Sequence, residues 1–169
     1  MQKDQLLLMA NYNLWATRQL MQQLRQTPEA KLYADCGLFF KSIFATLNHL
    51  LVGEHLLWYP RFALGGSPCL QLDQIVESDL EVLYTQLEQL PQRWIDLIQQ
   101  LDSARLEGSL DYHSSRGQAL SLPYAATLMH VFNHGTHHRG QITAALSMQA
   151  EDCPALDLVY MLLEQSTTS

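Results

Sequence analysis

At 169 residues the chain is long enough to bury one core without disulfide staples, and its length fits a single domain over 1–169. Apolar residues make up an ordinary 47%, but charged residues only 16%, against about 25% in a typical globular chain. A formal charge of −7 with no basic run argues against a nucleic-acid partner and against an anionic membrane surface, because both need a Lys/Arg footprint.

From Asp4 to Gln26, the residues Leu7, Ala10, Leu14, Met21 and Leu24 approximate a helical stripe that Thr27-Pro28 closes. A loop is expected around Glu29 to Cys36. From Phe39, FFKSIFATLNHLLVGEHLLWYPRF reads as a second helix, apolar round most of its circumference, which suits the middle of a bundle. Pro60 predicts a kink or an end there, and Gly65-Gly66-Ser67-Pro68 a clear break. The third helix is expected from Asp73 to Leu101, with Ile75, Leu80, Leu83, Leu87, Leu90, Trp94, Leu97, Ile98 and Leu101 at three- and four-residue steps and a bend at Pro91. In SLDYHSSRGQALSLP, apolar residues on both sides of Ser-Ser-Arg-Gly predict a short β-hairpin. Pro123 opens a fourth helix that continues to Gln149, and Ala155 to Glu164 predicts a short final one. The expected fold is all-α: a four-helix bundle with a short hairpin between its third and fourth helices and a short C-terminal helix.

Cys36, Cys69 and Cys153 are widely spaced and form no C-x-x-C pair, so neither a zinc knuckle nor a dithiol redox motif is present. The amino terminus lacks an apolar run with a cleavage site, and no stretch approaches a membrane span, so a cytoplasmic setting is expected.

Of seven histidines, His130, His134, His137 and His138 crowd into the fourth helix. Positions four apart on a helix differ by about 40° in direction, so His134 and His138 can close on one ion, with His130 one turn earlier on the same face. His137 lies about 60° to one side of His134. Two imidazoles on one helix do not complete a site, and His49 is the best candidate for a third. It sits midway along the most apolar helix, where an unsatisfied imidazole is costly, with the small residues Ala45 and Gly53 one turn to either side. His55 is about 120° round from His49 and should not share the site. Spacing carries a metal reading this far and no further.

These residues resemble a known family. NHGTHHRGQ, with a histidine four residues before its first, resembles the carboxy-terminal signature of the DinB/YfiT-like (damage-inducible) superfamily. NYNLWATRQL resembles that family's first helix, SIFATLNHLLVGEHLLW its second, and CPALDLVYMLLEQ its final one. The resemblance implies a four-helix bundle, commonly a homodimer, with a three-histidine site for nickel, zinc or a similar ion, iron, cobalt, copper and manganese belonging to the same set. Carried over, the ligands would be His49, His134 and His138, with His137 outside and His130 above the metal as a pocket residue.

Three imidazoles leave an ion open to water or substrate, as in catalytic rather than structural sites. Relatives of the superfamily include thiol-dependent S-transferases, and maleylpyruvate isomerases use a similar bundle. By that resemblance the chain is expected to be a metal-dependent thiol S-transferase, or a related hydrolase or isomerase, acting on a small molecule with a low-molecular-weight thiol as partner. The alternative is a non-catalytic module in which the ion is structural or sensed. Gln141 and Tyr12 are expected to line the pocket or to stand just behind its ligands. Arg139 either orients a substrate carboxylate or pairs with a nearby acid. Trp15, Trp58 and Trp94 read as core or contact residues, and Glu54 and His55 face either the pocket mouth or solvent.

Overall fold

The structure, a computed structural model, describes residues 3–114 and 116–167. Helix α1 (Lys3–Leu24) is followed by a single turn of helix, α2 (Glu29–Tyr33), where a loop was the simpler expectation. The second long helix begins only at Ile43. Lys41 takes a φ of 73°, so the helix cannot extend back to Phe39, and the Ser42 side chain caps the new start by accepting from the Ala45 N–H. It runs as α3 (Ile43–Leu50), widens into π-helix over Leu51–Trp58, and tightens again as α4 (Tyr59–Ala63). Pro60 neither ends nor breaks it, because it falls in the first turn of α4, where a missing N–H costs least.

The third helix differs most from its sequence pattern. It is two helices, α5 (Leu80–Gln89) and α6 (Gln92–Gln100), divided at Pro91, and it starts seven residues later than Asp73. Residues 73–77 stay non-helical because the Asn48 side chain accepts from the N–H groups of Val76 and Glu77 and donates to the Glu77 carbonyl. Ile75, counted into the apolar stripe, is 45% exposed. Asp79 then caps α5 by accepting from Val82 N–H.

After the short α7 (Ser103–Glu107), strands β1 (Ser109–His113) and β2 (Ala119–Pro123) pair antiparallel, Leu110 opposite Leu122 and Tyr112 opposite Leu120. Helix α8 (Tyr124–Met148) and the short α9 (Leu158–Thr167) complete the chain. The architecture is a four-helix bundle of α1, α3–α4, α5–α6 and α8, with the expected hairpin ahead of α8.

Two apolar clusters fill the bundle. One gathers Leu6, Ala10, Trp94, Ile98, Val131 and Phe132, and the other Leu20, Leu24, Leu47, Leu87, Ile142 and Leu146. All four long elements contribute to both. Between these clusters α1, the π-helical turns and α8 place a layer of buried polar groups: Asn13, Thr17, Glu54, His55 and Arg139. The histidines of interest project from α3 and α8 at the level of this layer.

Candidate metal centre

His49 on α3 meets His134 and His138 on α8. Their three Nε2 atoms form a triangle with every edge 3.1 Å. Among the described residues this is the cluster of three His, Cys, Asp or Glu ligand atoms that lies close enough to hold one ion. Phe40 stacks on the His49 ring at 3.9 Å and closes that side. Gly53 leaves the room that His134 occupies, since a Cβ there would lie 3.2 Å from His134 Cε1.

The other ring nitrogens fix the protonation pattern. His49 Nδ1 lies 2.8 Å from the carbonyl of Leu72, which can only accept, so Nδ1 carries the proton and Nε2 is a bare lone pair. His138 Nδ1 donates in the same way to Gln141 Oε1 at 2.8 Å. His134 Nδ1 is buried and has no partner. Burial pushes His134 down to about 3, with the neighbouring histidines adding to it, and His138 down to about 4 against the opposing Gln141 bond. Burial also lowers His49, against the opposing bond to Leu72.

Three neutral rings therefore converge with at most one proton, on His134, to serve three short contacts. The lone pairs of His49 and His138 face each other across 3.1 Å, an arrangement that a cation between them would relieve. Two nitrogens bound to one ion at about 2.0–2.1 Å stand about 2.9–3.4 Å apart for octahedral to tetrahedral angles, and the observed edges fall in that interval. The donor set fits a divalent transition-metal ion.

The remaining candidates sort themselves around this triangle. His130 is exposed at the mouth of a cavity of about 280 Å³ that His49 and His134 also line, its ring 5.9 Å from His134 and edge-on to Trp58. His137 is exposed and outside the triangle. Gln141 supports His138 rather than lining the cavity. Tyr12 is a correction: it lies on the α1 side of α8, where its hydroxyl donates to the Leu156 carbonyl at 2.7 Å and lines a different cavity of about 460 Å³. Helix α1 packs against the face of α8 that carries Arg139, not the face that carries the triad.

Arg139, with two readings in the sequence, is 2% exposed and belongs to the buried layer. Its Nη1 donates to Asn13 Oδ1 at 2.6 Å and to Thr17 Oγ1 at 3.2 Å, and Asn13 Nδ2 donates to Glu54 Oε2 at 3.0 Å. Asn13 thus bridges the cation to the carboxylate. Burial raises the Glu54 carboxyl and lowers Arg139, each opposed by the charge of the other. Glu54 and His55, placed by sequence at the pocket mouth or in solvent, are both 3% exposed. His55 stands 3.8 Å from Glu54, but burial pushes it down to about 3 and neither ring nitrogen has a hydrogen-bond partner, so the pair is not ionic. Spacing gave no sign of Asn13, Glu54 and Arg139 acting together. A polar residue inside an apolar helix, as with Asn48 beside His49, was the available signal.

A four-helix bundle with three imidazoles converging from its second and fourth long elements defines a class of helical proteins with a three-histidine cluster that could hold a metal ion. The family model of the DinB family matches residues 1–165, and the chain belongs to that family. It is 30% identical over 141 residues to protein DinB of Bacillus subtilis (strain 168), covering 80% of each chain. Its fold is similar to that of YfiT from Bacillus subtilis, described as "a probable metal-dependent hydrolase with an unusual four-helix bundle topology", with a TM-score of 0.68 at 17% identity over 89% of each chain. No helix among the described residues is long and apolar enough to cross a membrane.

Proposed function

We propose that His49, His134 and His138 hold one divalent transition-metal ion, and that the chain uses it to act on a small molecule in the adjoining cavity. The observation that carries this reading is the set of three inward Nε2 atoms, two of them fixed as bare lone pairs by Leu72 and Gln141. Nickel and zinc suit an all-imidazole set, as do cobalt, copper and iron. When bound, such an ion lowers the pKa of a water or thiol and polarises a carbonyl.

The reaction we assign is transfer of a low-molecular-weight thiol to a small electrophile, with hydrolysis as the second reading, favoured by what is said of YfiT. This chain's residues contribute the donor set, the orientation of its rings, and a cavity of about 280 Å³ walled by Trp58, Leu57 and Tyr112, a size suited to a small ligand. A module whose ion is purely structural would leave that cavity without a role.

Metal analysis of the purified chain beside His49→Ala tests the site. The expected outcome is about one ion per chain, largely lost in the variant. Unchanged stoichiometry overturns the assignment. Thiol conjugation and ester hydrolysis by the zinc- and nickel-loaded chain then test the chemistry, and silence in both assays leaves the non-catalytic reading.

A further inference from the structure

Arg61 is an arginine that nothing in the metal reading uses. It stands in the wall of the histidine cavity, 7% exposed. Its guanidinium carbon lies over the Trp58 ring at 4.7 Å and over the Tyr112 ring at 4.8 Å. The two rings attract the cation, but they offer no acceptor oxygen to the N–H donors of the guanidinium, which point outward along its edges in its plane. Those edges are poorly served. Nη2 reaches the His113 carbonyl only at 3.5 Å, and Nε has no partner. No carboxylate among the described residues pairs with Arg61, whereas Arg25 pairs with Glu81 and Glu88.

The cavity itself is equally one-sided. The chain carries 17 acidic residues and a net charge of −7, yet none of the residues lining this cavity is Asp or Glu. His49, His130, His134 and Arg61 line it instead. Burial lowers Arg61 from its ordinary value, with Tyr112 opposing the shift, as expected of a cation taken partly out of water. An anion entering the cavity meets one positive charge that no carboxylate among the described residues neutralises, carried on the kind of planar fork that recognises carboxylates bidentately.

We propose that Arg61 anchors the carboxylate of a small organic acid whose other end lies beside His49 and His134. This rests on reading the cavity as the substrate site, and it narrows the substrate to a molecule with a carboxylate at one end and its reacting group at the other. The cavity of about 280 Å³ keeps that molecule small. Trp58 and Tyr112, whose ring centroids stand 5.3 Å apart at 61° to each other, hold the guanidinium against both rings at the cavity wall. Arg61 is therefore a specificity residue rather than a catalytic one.

Calorimetric titration with butanoate, hexanoate and benzoate, each against its neutral amide, tests the anchor on the metal-stripped and on the zinc-loaded chain. The acid is expected to bind at least about tenfold tighter than its amide in both forms. Arg61→Gln abolishes that preference and leaves zinc stoichiometry unchanged. Arg61→Lys retains only part of it, because an ammonium offers a point charge in place of a fork. The proposal is overturned by absent carboxylate binding, by equal affinity for acid and amide, or by a preference that survives Arg61→Gln. A preference present only with zinc also overturns it, since that places the carboxylate on the ion. If circular dichroism shows that Arg61→Gln does not fold, Arg61→Lys decides, an undiminished preference being the negative result. Loss of zinc binding alone strikes the metal reading and leaves the preference of the stripped chain standing, so the two fail separately.

Discussion

In the histidine triangle, the nitrogens that face away determine what the inward ones offer. The Leu72 carbonyl and the Gln141 amide oxygen each accept a hydrogen bond from Nδ1–H, which keeps the proton there and leaves Nε2 of His49 and His138 bare. Replacing Gln141 by Leu removes one of these acceptors, and partners of this kind typically contribute 10–100-fold in metal affinity. Gln141→Leu is therefore expected to weaken zinc binding by about one to two decades in a competition titration with a chromophoric chelator, and an unchanged affinity would mean that His138 needs no such orientation. Gly135 poses a different demand. A Cβ there would fall 2.6 Å from Asn13 Oδ1 and 2.9 Å from Arg139 Nη1, into the middle of the buried bridge to Glu54. Arg139 can lean on the Thr17 and Thr136 hydroxyls, but the Asn13–Glu54 pair must give way, so Gly135→Ala is expected to cost about 1–3 kcal/mol in urea unfolding. A loss below a few tenths would show that the bridge rearranges freely.

At the scale of elements, the segment before α5 is held by a residue far from it in sequence. Asn48 grips Val76 and Glu77 through three hydrogen bonds across 28 and 29 positions, in the stretch that also carries Leu72. Asn48→Ala should free this strap: the amides of Val76 and Glu77 exchange faster with solvent, and zinc affinity falls because the Leu72 carbonyl no longer stays on His49 Nδ1. Faster exchange with unchanged zinc affinity would separate the strap from the site. The same contact explains why sequence placed the start of the third helix wrongly. Ile75 and Val76 fit the apolar period, but their backbone is claimed by a side chain that no local window contains. What periodicity does reveal is the rest of the bundle, because α1, α3 and α8 bury stripes whose spacing is set by the helix itself. His134 and His138 were legible as an i, i+4 pair, and His49 as an imidazole in an apolar helix between Ala45 and Gly53. Tyr12 was misplaced and the Asn13–Glu54–Arg139 bridge was not foreseen, because both depend on which face of α8 meets α1. Periodicity identifies a buried face without naming its neighbour.

For the whole molecule, the buried layer between the two apolar clusters makes stability depend on pH. His55, His134 and His138 are held neutral by burial, at about 3, about 3 and about 4 against an ordinary value of 6.5, and His49 is lowered too. As pH falls below about 6.5 the unfolded chain takes up protons that the folded chain refuses, so each such histidine removes up to about 1.4 kcal/mol of stability per pH unit until its folded pKa is reached. Glu54 acts in the opposite sense. Its carboxyl is raised above 4.5, so it costs stability at neutral pH and relieves that cost as it protonates. One carboxyl against five imidazoles, His130 being lowered by burial as well, leaves a net loss on acidification. The metal-free chain should therefore show similar urea midpoints from about pH 7.5 to 7 and a clearly lower one at about pH 5.5. Zinc at about a hundred times its dissociation constant should add about 2.7 kcal/mol at the higher pH. This increment should shrink on acidification, as protons increasingly compete for the same Nε2 lone pairs. A metal-free midpoint that stays level down to about pH 5.5 would mean that these imidazoles take up protons in the folded chain as readily as in the unfolded one, and the neutral, inward-facing donor set would lose its physical basis.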